Sequence, residues 1–249
     1  MRIVPCLTLL LLVFSVSAQA PEPAPLAHGS VPGEPHHHLR IENEYVRVYY
    51  VEVPPHENTQ LHQHDHDYIY VSLDPADVVN AVRDKPEVHL ALRDGETHFT
   101  RGGFAHVARN LADTPFRNVT IELLHPQGEP RNICAQVLVG APEGDCPKSV
   151  AMPGGLRKEP LLETRNTFVD LVALDPSLGA VSIRPQSEAL IVFLGETQIQ
   201  GHSINAPTEK VVKGHVIWIS GGAGETIWNS KRKDLRYLQL TFSAAGPKP

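Results

Sequence analysis

Hydrophobic and polar positions along the chain follow a short-range pattern that is typical of β-strands. The run LRIENEYVRVYYVEV at 39–53 is rich in β-branched and aromatic residues and alternates in part with a period of two. Comparable runs follow at intervals: YIYVSL, VHLAL, THFT and NVTIELL, then TFVDLVAL, GAVSIRP, ALIVFLGETQIQG, GHVIWIS and YLQLTF. Turn residues separate them, and the pattern contains no convincing long helix. It predicts an all-β fold, either a sandwich or a barrel.

The composition agrees with this prediction and narrows the classes of function. The 22 prolines and 18 glycines suit short strands joined by turns, and 249 residues suffice for one large all-β domain or two smaller ones. The formal net charge is -6 and no long basic run occurs, which argues against nucleic acid or an anionic membrane as the main partner. No nucleophile elbow, phosphate loop or nucleotide fingerprint appears. The unusual feature is the 14 histidines.

The N-terminal segment, 1–20, has the layout of a secretory signal. Arg2 precedes an apolar run, and the small residues Ala18 and Ala20 offer cleavage positions. The apolar run is shorter than a membrane span requires. We therefore expect a periplasmic or secreted protein with no membrane span after signal cleavage. A retained anchor is the alternative.

Two further segments are predicted to lie outside the folded units. Residues 21–35 are expected to form a Pro-rich, disordered tether, and residues 131–160 a linker. The linker contains Cys134 and Cys146. In an exported chain this pair predicts one disulfide that closes a short loop, and the alternative is two unpaired small residues. The spacing matches no zinc knuckle, so we do not interpret these cysteines as metal ligands.

An internal repeat divides the rest of the chain into two copies of one β unit. Residues 95–110, GETHFTRGGFAHVARN, align without gaps with residues 214–229, GHVIWISGGAGETIWN. The alignment pairs Gly95 with Gly214, Gly102 and Gly103 with Gly221 and Gly222, His106 with Glu225, and Asn110 with Asn229. Upstream of each block, a carboxylate precedes a turn residue at the same spacing, Asp67 in the first copy and Glu188 in the second. The chain is therefore predicted to contain two related β units joined by the linker.

These blocks resemble the two motifs of the cupin superfamily. Residues 95–110 fit the second motif throughout, except that Arg101 stands where proline is usual. The stretch HQHDHDYIYVSLD fits the first motif through His62 and His64. The carboxylate place of that motif is disturbed, because Asp67 comes one residue early and Tyr68 stands at the usual spacing.

The resemblance implies a bicupin, with two antiparallel β-barrels of the jelly-roll or double-stranded β-helix type in one chain. It covers residues 36–130 well, which are expected to form the barrel that carries the site. It covers residues 161–245 only through glycines, one carboxylate spacing and the final asparagine. This second barrel is expected to give structural support or a subunit contact, as in a homodimer.

A metal site in the first barrel is the main chemical prediction. Residues two apart in a strand face the same way, so His62 and His64 are expected to point together into the barrel. The resemblance implies that His106 meets them there from another strand pair. Three neutral imidazoles suit one divalent transition ion (Zn, Fe, Mn, Ni or Cu) with open positions for water and substrate. The alternative is a metal-free pocket with hydrogen-bonded histidines.

The roles of the neighbouring residues stay open at this point. The fourth ligand is Asp67, His66 or water; Asp67 would need a bulge to turn inward, and His66 lies too far along the strand to share one ion easily. His66 is therefore expected at the pocket mouth or on the surface. Tyr68 and Tyr70 share the parity of the histidines and are expected to line the pocket or pack in the core. The histidines at 36–38 are expected to form a solvated strand edge.

The second copy lacks this set of ligands. Counted back from Glu188, the His-x-His positions hold Ser182 and Arg184, and Glu225 takes the place of His106. Two carboxylates in a dry pocket need a cation or a proton, and Arg184 can supply the cation. We therefore predict a metal-free site in which Arg184 pairs with Glu188, Glu225 or both. The alternative is that these side chains spread into solvent.

Two hypotheses for function follow. The clustered histidines favour a small-molecule metalloenzyme with oxygenase-, isomerase- or hydrolase-like chemistry. The disturbed carboxylate place favours a non-catalytic periplasmic binding protein for a sugar or an organic acid. The partner is a small molecule in both cases, and the fold does not choose between them because it hosts many activities.

Overall fold

The structure, a computed structural model, describes residues 29–147, 149–201, 207–229 and 235–243. Nearly every regular element in these ranges is a β-strand, so the all-β prediction is confirmed. The predicted signal peptide, 1–20, and residues 21–28 of the predicted tether lie outside the described residues. Within the described ranges, no helix combines the length and the apolar character needed to cross a membrane.

The strands form two lobes. The N-terminal lobe contains β1 (Gly29–Ser30), β2 (His37–Glu42), β3 (Val46–Val53), β4 (His62–His64), β5 (Tyr68–Ser72), β6 (Ala76–Val82), β7 (Val88–Leu92), β8 (Thr97–Thr100), β9 (Phe104–Asn110) and β10 (Phe116–Leu123). One 3-10 turn, Val31–Gly33, lies between β1 and β2. The C-terminal lobe and the segment that leads into it contain β11 (Arg131–Asn132), β12 (Val150–Met152), β13 (Leu156–Glu163), β14 (Thr167–Leu174), β15 (Ala180–Ile183), β16 (Ala189–Phe193), β17 (Thr197–Gly201), β18 (Thr208–Val211), β19 (Val216–Ile219), β20 (Glu225–Trp228) and β21 (Leu235–Phe242).

Each lobe consists of two sheets. In the N-terminal lobe, sheet 1 has the order β1-β4-β9-β6-β7 and sheet 2 the order β2-β3-β10-β5-β8. In the C-terminal lobe, sheet 3 has the order β11-β13-β14-β21-β16-β19, with β12 also paired to β13, and sheet 4 the order β15-β20-β17-β18. The strand pairs are antiparallel, apart from β1, which runs parallel to β4.

Strand β10 shows how alternation distributes side chains between two hydrophobic cores. Val119, Ile121 and Leu123 are almost fully buried and belong to a core that the two lobes share. Phe116, on the other face of the strand, packs inside the N-terminal lobe. Sheet 3 supplies the opposite side of the shared core from β14, β16 and β21. Sheets 2 and 3 therefore pack face to face, and each large apolar side chain buried there contributes about 1.5–3 kcal/mol.

Residues 29–35 belong to the fold, although the Pro-rich composition predicted a disordered tether there. Strand β1 pairs Gly29 with His62, and Val31 is buried in the interior of the N-terminal lobe. Glu34 is 3% exposed. The two buried side chains anchor the segment, and a prediction from composition alone does not detect them.

The segment between the lobes is also held in place. Cys134 and Cys146 are joined, with Cα atoms 5.6 Å apart, which lies in the usual range for a disulfide. The Asn132 side-chain oxygen accepts hydrogen bonds from the backbone N–H groups of Val137 and Leu138. Val137 is buried in the shared core. The predicted linker therefore packs against both lobes through its central part.

The internal repeat corresponds to repeated hydrogen bonds. Gly95 N donates to the carbonyl of Ser72, and the matching Gly214 N donates to the carbonyl of Phe193, both at 2.8 Å. Further along, Gly103 N donates to the carbonyl of His64 at 2.7 Å and Gly222 N to the carbonyl of Pro185 at 2.8 Å. The four glycines have positive φ angles between 76° and 86°. The same turns therefore set the strand register in both lobes, and they make Pro185 the counterpart of His64.

The turn at Gly102 tolerates no side chain, which gives a testable prediction. A Cβ atom at Gly102 would lie 2.4 Å from the backbone of His66, so Gly102→Ala must separate β9 from the segment that follows β4. We expect a loss in the free energy of unfolding of about 1–3 kcal/mol, measured by urea denaturation. Gly179→Ala is the matched control, because a Cβ atom there would have no neighbour within 4 Å. Equal stability of the two variants would contradict the predicted crowding.

Candidate metal centre

The three histidines predicted as ligands lie together inside the N-terminal lobe. His62 and His64 are two apart on β4 and face the interior, and they are 1% and 2% exposed. His106 on β9 is the cross-strand partner of His62. The ring centroids of His62 and His106 are 4.6 Å apart, those of His62 and His64 5.1 Å, and those of His64 and His106 5.2 Å.

A fourth histidine, His37, joins this group from the edge strand β2. The sequence prediction placed 36–38 on a solvated edge, and this is wrong for His37, whose side chain is 5% exposed. Its ring centroid lies 4.7 Å from that of His62, and the ligand-capable nitrogens of His37, His62 and His64 lie within 4.8 Å of one another. His37 pairs with the inward-facing Val51 of β3, so the strand register brings it into the interior.

Each of the four imidazoles has its Nδ1 atom close to an oxygen atom. His62 Nδ1 lies 2.8 Å from the carbonyl oxygen of Gln60, and His106 Nδ1 lies 2.7 Å from Asn80 Oδ1. His37 Nδ1 lies 2.6 Å from Glu34 Oε2, whereas His64 Nδ1 lies 3.3 Å from Glu122 Oε1 and makes no hydrogen bond within the described residues. Metal-binding histidines commonly donate the second ring N–H to such an oxygen, which fixes the ring and leaves Nε2 for the metal.

The free nitrogens of this group fit a metal ion. Nε2 of His62, Nδ1 of His64 and Nε2 of His106 are buried and have no hydrogen-bond partner within the described residues. A buried nitrogen without a partner is costly unless it binds something, and the lone pair of a neutral imidazole is a good donor to Zn, Cu, Fe or Ni. The close group of His37, His62 and His64 therefore fits a site for one transition ion, and His106 lies beside it with its ring centroid 4.6 Å from that of His62.

The local environment keeps the imidazoles of His62, His64 and His106 neutral. Burial, together with the neighbouring histidines, lowers the pKa of His62 to about 4 and that of His106 to about 2. Burial likewise holds the pKa of His64 well below its usual value. A metal ligand must be deprotonated, so these shifts prepare the site for binding at neutral pH.

The structure does not bring Asp67 to the histidines. Asp67 Oδ1 accepts a hydrogen bond from Gly102 N at 3.0 Å, and Oδ2 accepts one from Arg101 at 2.9 Å. In the second lobe, Glu188 accepts a hydrogen bond from Gly221 N in the corresponding place. We call the two pairs, Asp67–Gly102 and Glu188–Gly221, the carboxylate clamps. In both lobes the carboxylate thus accepts a hydrogen bond from the backbone of a glycine turn.

A cavity of about 60 Å³ lies beside the imidazoles, with room for a few water molecules. Tyr68 and Tyr70 line it, and His66 is not among the residues around it. The Tyr68 ring stacks on His64 with centroids 4.2 Å apart. Burial raises the pKa of both phenols, so they stay protonated at neutral pH. The other lining residues are His37, Val51, Thr59, His62, Val78, Asn80, Leu90, Leu92, His106, Ala108, Phe116, Asn118 and Thr120.

The metal-free site predicted for the second lobe is not present. Ser182 and Arg184 are exposed, because the inward-facing position on β15 is occupied by Ile183. Glu188 accepts a hydrogen bond from Trp218 Nε1 at 2.7 Å and another from Gly221 N in its carboxylate clamp. Glu225 on β20 is the cross-strand partner of Ile183 on β15. It therefore lies on the face of the sheet opposite to Ser182 and Arg184. The repeated hydrogen bonds at the turns show the reason. They make Ile183 and Pro185 the counterparts of His62 and His64, one residue further along the chain than Ser182 and Arg184.

Comparisons with known proteins agree with this fold. No family model and no curated protein matches the chain in sequence. Among solved structures, AerE from Microcystis aeruginosa matches with a TM-score of 0.57 and 12% identity over 85% of this chain and 99% of its own. Salicylate 1,2-dioxygenase from Pseudoaminobacter salicylatoxidans, as an adduct with gentisate, matches with a TM-score of 0.54 and 11% identity over 80% and 68%. Protein Ylba from E. coli matches with a TM-score of 0.58 and 10% identity over 91% of both chains.

These likenesses, at such low identity, concern the fold. They support the resemblance in the sequence motifs, and the chain has the cupin fold. Its N-terminal lobe contains a histidine group with the composition and spacing of a metal site.

Metal-free protein should lose stability as the pH falls from about 7 to 5. The unfolded chain protonates His62 near pH 6.5, whereas the folded protein does so only near pH 4. The stabilisation is therefore complete above pH 6.5 and declines below it, and His62 alone accounts for a loss on the order of 2 kcal/mol at pH 5. The free energy of unfolding is measured at each pH by urea denaturation with a chelator present. His62→Gln should flatten the pH dependence and His38→Gln, at an exposed position, should not; equal slopes in wild type and His62→Gln would contradict the account.

Proposed function

We propose that the chain is an exported bicupin whose N-terminal lobe holds one divalent transition ion and acts on a small molecule. The observation that carries this proposal is the set of four buried imidazoles beside one cavity. Nδ1 of His37, His62 and His106 lies within hydrogen-bond distance of an oxygen atom, and His62 and His106 have an Nε2 atom without a hydrogen-bond partner in the described residues.

An ion bound there would supply Lewis acidity or the capacity to activate dioxygen. Imidazole nitrogen is acceptable to Zn, Fe, Mn, Ni and Cu, so the identity of the ion depends on geometry and on supply as well as on the donor set.

The residues of the chain would bind and orient the substrate and exclude water. Apolar side chains such as Val51, Leu92 and Phe116 form much of the cavity wall. The side-chain oxygen of Asn118 accepts a hydrogen bond from Thr120 at 2.8 Å, which leaves the Asn118 amide N–H groups to donate to a substrate oxygen. The wall therefore suits a compact, largely apolar molecule with one or two oxygen substituents.

The cavity offers little for acid–base catalysis by the protein. Among the described residues that line it, none is an aspartate or a glutamate. The phenols of Tyr68 and Tyr70 can donate hydrogen bonds, but their raised pKa makes them poor bases. Of the three kinds of chemistry considered, this favours oxygenase-like chemistry, in which the ion supplies the reactivity. The fold likeness to a structure of salicylate 1,2-dioxygenase with gentisate makes small hydroxylated aromatic compounds the first class to test.

Metal content tests the proposal. Protein purified without added chelator should contain close to one divalent transition ion per chain by elemental analysis. His106→Ala should bind the ion much more weakly, because a ligand is removed, and His38→Ala should bind like the wild type, because His38 is exposed. Wild-type protein that takes up none of Zn, Fe, Mn, Ni and Cu would overturn the proposal.

Turnover is measured on the same three proteins after loading with Fe(II). Oxygen uptake with a panel of small phenols, catechols and hydroxylated benzoates should appear in wild type and His38→Ala and be lost in His106→Ala. Tight binding of one such compound without turnover, with every ion and compound, would favour the binding-protein hypothesis over the enzyme.

The proposal includes export, and the bond between Cys134 and Cys146 supports an oxidising compartment. Mass spectrometry of the protein from its host should show a chain cut after Ala18 or Ala20 that carries this disulfide. A chain that retains Met1 or Arg2 and has both thiols free would contradict export.

A further inference from the structure

We infer that His37 is the fourth protein ligand of the metal in the N-terminal lobe, in place of the carboxylate of the cupin motif, and that Glu34 is its positioning residue. The inference rests on the proposed metal site. It extends that site to the segment 29–37, which precedes the cupin motifs in the chain.

The carboxylate place of the motif is filled by side chains that cannot take this role. Tyr68 stands at the usual spacing, but it has no carboxylate and its ring is stacked against His64. Asp67 is held in its clamp by Gly102 and Arg101. Neither side chain offers a free carboxylate to the imidazoles, so a ligand position is left for a residue from elsewhere in the fold.

His37 occupies the required place. It lines the same cavity as His62, His64 and His106. Its ring centroid lies 4.7 Å from that of His62 and 6.1 Å from that of His64. The ligand-capable nitrogens of His37, His62 and His64 lie within 4.8 Å of one another, and among the described residues no other three potential ligands form such a group.

Glu34 has the contacts of a residue that orients ligands. Its side chain is fully buried, and Oε2 lies 2.6 Å from His37 Nδ1 and accepts a hydrogen bond from His36 N at 2.8 Å. Its Oε1 accepts a hydrogen bond from Gln60 N at 3.0 Å, and the carbonyl of Gln60 lies 2.8 Å from His62 Nδ1. One carboxylate therefore fixes His37 directly and His62 through the backbone of Gln60.

Strand β1 and the turn after it explain how His37 reaches the interior. Strand β1 runs beside β4 in sheet 1, whereas β2, which begins with His37, belongs to sheet 2. The segment 29–37 thus crosses from one sheet to the other, with Val31 buried in the core between them. It closes the lobe next to the histidines and delivers His37 to the cavity.

The exchange of a carboxylate for an imidazole changes the charge at the site. Imidazole ligands are neutral, so four of them leave the full double positive charge on the ion, and the negative charge of Glu34 stands behind His37 rather than on the ion. The site should therefore favour ligands that bring an anionic oxygen to the ion, such as a phenolate or an enolate.

Metal affinity and ligand counting test the inference. The affinity for Zn(II) is measured by competition with a chromophoric chelator in wild type, Glu34→Gln, His37→Gln and the control His38→Gln. Glu34→Gln should bind Zn(II) about 10–100-fold more weakly and His37→Gln at least as weakly, while His38→Gln should match the wild type. The absorption spectrum of the Co(II)-loaded proteins should change in His37→Gln and Glu34→Gln and stay constant in His38→Gln.

Pulsed EPR of the Cu(II)-loaded proteins counts the bound imidazoles directly, with four expected in wild type and three in His37→Gln. If His37→Gln does not fold, the count on wild type decides: four supports the inference and three overturns it. Equal Zn(II) affinity and equal Co(II) spectra in wild type and His37→Gln would also overturn it, while leaving the proposed metal site intact. Wild-type protein that binds none of these ions would instead remove the proposed function itself.

Discussion

The register of the strands decides which side chains enter each lobe, and the two carboxylate clamps help to fix that register. Asp67 holds the backbone of Gly102 in the first lobe, and Glu188 holds that of Gly221 in the second. Because successive side chains of a strand point to opposite faces, a slip of one residue would exchange every inward side chain for an outward one. The same backbone arrangement therefore places a histidine pair inside one lobe and Ile183 inside the other.

The histidine group works against the stability of the fold. Several imidazoles lose their hydration on burial, and three of their nitrogens gain no hydrogen bond from the described residues. An unmet hydrogen bond of this kind costs about 1–3 kcal/mol. The shared core between sheets 2 and 3, whose buried side chains are almost fully removed from solvent, offsets this cost. Apolar side chains fill the interior of the second lobe, whereas the first lobe keeps a small cavity beside its histidines.

Much of the fold and three of the four histidines could be predicted from the sequence. Alternation of apolar residues indicated the strands, and the spacing of His62, His64 and His106 in recognisable motifs indicated the group. His37 could not be found in this way, because its inward orientation depends on the pairing of an edge strand and on the buried contacts of Val31 and Glu34. The turn bonds also explain the failed prediction for Arg184, since counting from Glu188 as if it were the motif carboxylate shifted the register by one residue.

The central claim is that the imidazoles of the N-terminal lobe hold one transition ion. A crystal structure of the metal-loaded protein, with diffraction data collected on both sides of the absorption edge of the metal, tests it most directly. We expect one strong anomalous peak inside the cavity, about 2.0–2.1 Å from an imidazole nitrogen of each of His37, His62, His64 and His106. A loaded crystal with no peak in the cavity, or with its peak at surface histidines alone, would contradict it.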